Sequence, residues 1–540
     1  MGDEAILRTE ILVVGGGLGG VAAALAALRA GRRVVLTEEY AWLGGQLTSQ
    51  AVPPDEHTWI EQFGCTASYR ALRDGIRDHY RRLYPLTERA RARADLNPGA
   101  GFVSRICAEP RAGVAVIDGM LAPYLSAGRL RIITGVRAVA AAVADDRVDA
   151  VDFVHLERDA TFRVHASYVL DATELGDLLP LTGTDYVTGF ESRADTGEPS
   201  APDVARPQDE QAFSWCFVMD YDEHGDHVIE EPPHYQDWRT KRPPFWGAPM
   251  ISLTGPDPRT LETFTRTFTP TIDDDLDAGV ADQRAAAGDR ELWTFRRILA
   301  RKNFADGFID SDIVLANWPM IDYLDGGLTD VGTDERERAL QGSREQSLAM
   351  FYWLQTEAPR PDGGKGWPGL RLRPDVTGTD DGLAMAPYIR ESRRIRARRT
   401  VVEQDLSIEA RGDDRPVTFA DTVGIGMYRI DLHPTTEGDN YLDIASVPYE
   451  IPLAALVPIR TRNLLPACKN LGTTHITNGA FRLHPVEWNI GEAAGALAAY
   501  CLDEDVEPGD VVDSAEVTER FQRRLLADGV ELHWPDVRGY

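Results

Sequence analysis

Three glycines near the start of the chain carry its clearest chemistry. Gly15, Gly17 and Gly20 occupy the glycine positions of G-x-G-x-x-G directly after the apolar run 11–14. In such a loop the first glycine permits a tight turn, the second lets a pyrophosphate approach the backbone, and the third lets helix pack on strand. The free N–H groups at the following helix start, with the helix dipole, make an anion site. Glu38, 23 residues after Gly15, stands where a carboxylate binds ribose hydroxyls. A second group, His475, Arg482 and His484, lies late in the chain, and histidine can take a hydroxyl or amine proton. A third is the run of six arginines among residues 390–399, beginning at Arg390. Ion pairing with the protein's own acidic surface is the ordinary use of such a run; a carboxylate clamp is the other.

The elements that position the glycines follow from pattern. Residues 19–30 are nearly all Ala, Leu and Val, the mark of a buried helix, and Gly31 suits its left-handed C-cap. Residues 34–38 then form the second strand of a βαβ unit. Helices are expected within 55–95, at 109–125, 333–357, 485–500 and 514–528. Strands are expected at 130–134, in a meander near 137–143, 148–156 and 161–165, separately at 168–170, and at 463–467. In the helix 333–357, Leu340, Ser343, Ser347, Met350, Phe351 and Leu354 share a core-facing side.

At 540 residues the chain exceeds one simple core. Its 57 basic and 86 acidic residues, net −29, argue against nucleic acid or an anionic membrane as partner. The five scattered cysteines contain no C-x-x-C, which suggests reduced thiols in a cytoplasm and removes a redox-active disulfide. Residues 1–8 lack the apolar core of a leader, and no apolar run is long enough to span a membrane, so a soluble protein is expected. His224, His227 and His234 cluster without a metal-binding signature. The expected class is α/β: a Rossmann-like domain, parallel sheet with antiparallel meander, plus an inserted α+β substrate domain. The boundaries are 1–184 for the first part of the dinucleotide domain, 185–420 for the insertion, 421–505 for the final part and 506–540 for a helical tail.

Four separated segments together resemble the FAD-dependent oxidoreductases of the glutathione-reductase-like superfamily. They are the glycine motif, Leu43-Gly44-Gly45-Gln46, the strand end Asp171-Ala172-Thr173, and Asn463 to Leu465 leading to Arg482-Leu483-His484-Pro485. The sequence is most similar to a bacterial group that shares Pro387 to Ile395, Asn317-Trp318-Pro319 and the stretch Gln50 to His57. The resemblance implies non-covalent FAD, with Gly15, Gly17 and Gly20 at the pyrophosphate and Glu38 at the ribose. Gly44, Gly45 and Gln46 would run along the ribityl and flavin side, and Ala172-Thr173 beneath the cofactor, where Glu174 replaces the family's glycine. The helix begun by Pro485 would aim its N–H groups at the flavin. His475 and His484 then flank the flavin as candidate bases, Arg482 as stabiliser of reduced flavin or carboxylate, and Arg390 as substrate clamp. His57 and Trp59 are further candidates to face the flavin, His57 also for covalent attachment.

A flavin supplies the redox chemistry while protein groups supply orientation and a proton acceptor. The expected function is oxidation of a small polar molecule at a C–OH or C–N centre, with electrons passed to oxygen or another acceptor. The alternatives are a flavin monooxygenase, against which stands the lack of a second glycine-rich NADPH fingerprint, and a flavin-binding module without turnover.

Overall fold

The computed structural model describes residues 5–272 and 290–540, so part of the expected insertion, 273–289, lies outside the described residues. The main sheet comprises β1 (Ala5–Val14), β2 (Val34–Glu38), β3 (Leu130–Thr134), β4 (Val136–Ala144), β5 (Arg147–His155), β6 (Thr161–Asp171) and β7 (Leu464–Pro466). β3, β2, β1 and β6 run parallel in that order, and β7 extends the parallel layer beyond β6. β4 and β5 form the antiparallel meander against the first half of β6. The third meander strand and the strand expected at 168–170 prove to be one. β1 pairs with β6 from Ala5↔Phe162 to Val14↔Asp171, and that continuous partner leaves no place for a break.

The helices that matter to the site are α1 (Leu18–Arg29), α2 (Ala67–Leu83), α3 (Pro110–Ser126), α4 (Thr333–Thr356), α5 (His475–Phe481) and α6 (His484–Glu504). α1 and α6 pack backbone to backbone. A Cβ on Gly491 would lie 1.9 Å from the Gly19 carbonyl oxygen, and one on Gly495 would lie 2.1 Å from that of Ala23. Glycine is therefore obligatory at these two positions. The contact joins the first helix to one that begins more than 450 residues later.

A second, antiparallel sheet combines Arg297–Leu299, Ile313–Ala316, Phe217–Tyr221 and Leu370–Leu372. α4 covers it with Ser343, Ser347, Met350, Phe351 and Leu354, all buried, while Leu340 is half-buried. Beyond residue 421 the chain does not enter the main sheet at once. Thr422–Gly426 pairs with Tyr449–Pro452, and Ile430–Leu432 with Leu442–Ile444, outside both sheets. The chain rejoins the main sheet only at Leu464, because residues 428–443 are used to wall a cavity.

All five cysteines are buried free thiols. Among the described residues no helix is long and apolar enough to cross a membrane, and no group of three His, Cys, Asp or Glu side chains could hold a metal ion.

The helix contact yields a test. Gly495→Ala should lower stability by about 3 kcal/mol, since the methyl group must displace the α1 backbone. Gly119→Ala, at an exposed α3 position with nothing within 4 Å of the added carbon, should leave it unchanged or raise it by roughly 0.5 kcal/mol. Thermal unfolding of the two variants compares them directly; equal midpoints would refute the obligatory contact.

Candidate functional site

Two adjoining hollows share a wall. The first is a cleft of about 730 Å³ at the C-terminal ends of β1 and β6, lined by Gly15, Gly17, Glu38, Gly45, Ala172 and Thr173 among others. Its floor is the loop into α1. Gly15 turns there with φ +96°, a region that costs glycine nothing. Gly17 lines the cleft, and a Cβ there would meet the carboxylates of Glu487 and Glu174 at 3.3 and 3.4 Å and the Ala172 carbonyl oxygen at 4.0 Å. The Glu38 carboxylate accepts from Gly16 N at 2.5 Å and from Tyr40 N at 2.9 Å. Burial, with Glu174 and Glu39 nearby, nevertheless pushes its pKa up to about 7.

Further groups in the cleft await partners. Gln50 is fully buried and neither its amide oxygen nor its nitrogen has a hydrogen bond within the described residues. Glu174, where the resemblance led one to expect glycine, pairs through Oε2 with the buried Lys469 and leaves Oε1 unpartnered. Burial would depress the Lys469 ammonium, but Cys468, Glu174 and Glu487 outweigh it and hold its pKa above the usual value. A glycine loop at a helix N-terminus, a carboxylate at the end of β2 and orphaned hydrogen-bonding atoms fit an adenine dinucleotide such as FAD.

The second hollow is larger, about 1760 Å³, and is walled by loop segments that follow or flank the second sheet. Its wall includes Tyr388, Arg390, His433 and Arg482, together with Asn317 and Trp318. His433 Nδ1 lies 2.6 Å from Asp322 Oδ2, and Asp322 Oδ1 accepts from Ser214 Oγ at 2.6 Å and pairs with Arg390 at 3.1 Å. Burial alone would raise the Asp322 carboxyl, but Arg390, His433 and Ser214 hold it below the ordinary range. Burial and then Arg390 keep His433 below its ordinary value against the pull of Asp322. The imidazole is therefore neutral at pH 7, with its proton on Nδ1 facing an ionised carboxylate. Among the described residues its Nε2 has no partner, which leaves its lone pair unshared.

A short hydrogen-bond chain runs from the wall of the second hollow to the start of α1. Arg482 Nη1 donates to Tyr388 Oη at 3.4 Å, and Tyr388 Oη donates to Gln46 Oε1 at 3.3 Å. Gln46 Nε2 donates to the Arg482 carbonyl at 2.8 Å and to Glu487, whose other oxygen accepts from Gly19 N at 3.1 Å. Gln46 thus lies between cavity and glycine loop, and Gly44 N is tied to Gly16 O at 2.7 Å.

The late histidines are placed differently from expectation. His484 is fully buried, accepts from Asp55 N at 3.3 Å through Nδ1 and lies 3.1 Å from Val52 O through Nε2. Burial drives its pKa down to about 4, and a neutral ring with both nitrogens committed has nothing to offer a substrate. His475 is also fully buried, bonded to Glu391 at 2.7 Å and packed 3.5 Å from the Phe190 ring, and it lines neither hollow. Pro485 sits in the first turn of α6 and lines neither hollow. His57 bonds Gly64 O at 2.9 Å and, with Trp59, packs on Trp534 outside the cleft. His227 and His234 pair separately with Asp222 and Glu345.

The arginine run is mostly spent on ion pairs. Arg393 meets Asp330 and Asp177, Arg394 meets Glu391 and Glu191, Arg398 meets Asp513, and Arg399 meets Asp405. Only Arg390 reaches the cavity wall, and its Nη atoms are held by Asp322, Ala212 O and Ser214 Oγ. Sequence reading missed His433, Asp322, Gln50 and Lys469. Asp322 and His433 are 111 residues apart, so no local pattern could have signalled them.

The Glu38 carboxyl gives a pH test. Its pKa rises from 4.5 to about 7 on folding, so the unfolded chain loses this proton first and Glu38 opposes folding progressively between those values. The penalty reaches about 3 kcal/mol above pH 7. In cofactor-free protein, Glu38→Gln should flatten the fall in stability from pH 4.5 to pH 8, read as thermal midpoints. An unchanged pH dependence would contradict the burial argument.

Comparison with known proteins places this chain in a family. The chain is similar to the structure of L-proline dehydrogenase from P. horikoshii, at 15% identity over 36% of this chain and 26% of that one, with a TM-score of 0.18. It is similar to glycerol-3-phosphate dehydrogenase from Bacillus halodurans complexed with FAD, at 13% identity over 39% and 40% of the two chains, with a TM-score of 0.24. It is also similar to the myxobacterial chondrochloren halogenase CndH, at 16% identity over 42% and 46%, with a TM-score of 0.21. The matched region spans less than half the length of each of these proteins. No curated protein matches the sequence. The profile of the family described as FAD dependent oxidoreductase matches residues 10–525, nearly the whole chain, and the protein belongs to that family.

Proposed function

We propose that this FAD-dependent oxidoreductase oxidises a small polar molecule at a C–OH or C–N centre in the cavity beside Tyr388 and Arg482. The observation that carries this reading is the His433–Asp322 pair in the cavity wall, whose imidazole keeps an unpartnered Nε2 and whose neighbour Tyr388 is hydrogen-bonded toward the glycine loop. FAD, when bound, supplies the two-electron acceptor, and oxygen or another acceptor restores it.

The chain's own groups divide the remaining work. His433 Nε2 takes the proton from the substrate's O–H or N–H, and the ionised Asp322 stabilises the imidazolium that results. Arg390 and Ser214 hold Asp322 in place and ionised. Arg482 and Tyr388 orient the substrate at the wall nearest the cleft. His484, in place of the base role expected of it, fixes segment 52–55 against the start of α6. Gly17, Glu38 and the amide of Gln50 hold the cofactor without a covalent bond.

Two tests follow. His433→Ala should retain FAD yet slow its anaerobic reduction by roughly 10²–10⁴-fold, whereas His484→Ala should cost stability and FAD occupancy with much less effect on reduction of the flavin that remains. Wild-type reduction should weaken as pH falls through a pKa below 6.5, the protonated imidazole being unable to accept. The reverse pattern for the two variants would overturn the assignment. Separately, heat-denatured protein should release FAD into the supernatant, and Gly17→Leu should give colourless protein because a side chain occupies the pyrophosphate's space. Colour retained in the precipitate would contradict non-covalent binding.

A further inference from the structure

The cofactor cleft is lined by one guanidinium that, among the described residues, makes no hydrogen bond. We propose that this residue, Arg336 on the helix covering the second sheet, binds the cofactor by pairing its guanidinium with the diphosphate of FAD. That role is independent of the substrate and goes beyond the oxidation reading.

Four carboxylates and two guanidiniums line the cleft: Glu38, Glu39, Glu174 and Asp177 against Arg137 and Arg336. Arg137 is committed to Glu39, which it meets through Nε at 3.2 Å and through Nη2. Lys469, which is fully buried and does not line the cleft, is committed to Glu174. Arg336 differs. Its one ion-pair contact among the described residues is Asp177 Oδ1 at 4.0 Å, the outer limit of such a contact. Asp177 has a closer cation in Arg393, at 3.4 Å.

Nothing on α4 itself accounts for this residue. Arg336 is the fourth residue of the helix, in the turn where the dipole disfavours a cation. Its helical neighbours three and four places away are Gly332, Thr333, Ala339 and Leu340, and none can pair with its charge. The side chain is 33% exposed, so it is open to a ligand in the cleft it lines.

The ligand's charge matches. Oxidised FAD carries its negative charge on the diphosphate, and a planar guanidinium can give two N–H groups to one phosphate. Backbone N–H groups at the start of α1 supply hydrogen bonds but no whole charge. The net charge of −29 repels an anion from a distance, and the cleft's own carboxylates repel it at close range. With Arg137 and Lys469 already paired, Arg336 is the cation that remains to offset the diphosphate. Because α4 covers the second sheet and the glycine loop ends β1, the pairing links the two sheets through the cofactor.

The test measures binding to cofactor-free protein, by flavin fluorescence for FAD and by calorimetry for ADP and adenosine. ADP keeps the diphosphate and adenosine lacks it. Arg336→Gln should weaken FAD and ADP by about 10-fold and leave adenosine unchanged, while Arg336→Lys keeps part of the affinity. ADP binding should also depend less steeply on salt in Arg336→Gln than in the wild type. Arg338→Gln removes the same charge from an exposed position of α4 outside the cleft and should change none of the three. The thermal midpoint of the cofactor-free protein should be the same in Arg336→Gln, since no hydrogen bond is lost. Unchanged affinity for FAD and ADP would overturn the proposal. So would an equal loss for adenosine, which marks a side chain that only shapes the cleft, or an equal loss in Arg338→Gln, which marks a general effect of charge. A lowered midpoint would overturn it too, by showing that Arg336 serves the fold.

Discussion

The approach of α1 to α6 is the constraint on which the rest depends. Gly491 and Gly495 let two helix backbones touch where any side chain would collide. That contact fixes the turn before α6, with Arg482 and Glu487, beside the glycine loop that begins the chain. Glu487 then reaches Gly19 N and Gln46, and Gln46 reaches Tyr388. Cofactor cleft and cavity are neighbours because two distant helices have no room to be anywhere else. Dense packing transmits such a restriction over many residues, since interiors have few voids to absorb a shift.

Charge supplies the second layer of order. The protein is strongly acidic overall, yet its interior is laced with guanidinium–carboxylate pairs such as Arg73–Glu56 and Arg394–Glu391, whose side chains are no more than 3% exposed. A buried pair is weak evidence for net stability, because desolvation consumes much of the Coulombic gain. Its stronger effect is to fix geometry, since a partner lost leaves an uncompensated charge. Around the cavity the pairing bears on the protonation of His433. Arg390 keeps Asp322 ionised, and Asp322 fixes the tautomer of His433. The Lys469–Glu174 pair does comparable work beside the glycine loop, with Glu174 taking the place of a smaller residue.

The amino-acid sequence determined the parts whose physics is local. The βαβ unit, the glycine loop, Glu38 and the Gly/Ala character of α6 were all legible, because turn geometry, helix packing and strand pairing leave a residue-by-residue signature at short spacing. The meander was legible as alternation, though its junction with the last part of β6 was not, since β1 alongside it carries no mark in the sequence of β6. The histidines near α6 drew attention as bases by their position along the chain, and that position says nothing about what each ring nitrogen meets.

The tertiary structure alone decided the cavity. Its wall is assembled from segments near residues 55, 295, 318, 388, 433 and 482, and it sets Asp322 against a histidine 111 residues away. It also decided that Arg390 supports a carboxylate and that His484 ties down a loop. Ion pairs and tautomers depend on which groups become neighbours after the backbone has closed, and on how much water that closure removes. Neither quantity is written in the spacing of residues, so the glycine loop could be read in advance and the pairing around the cavity could not.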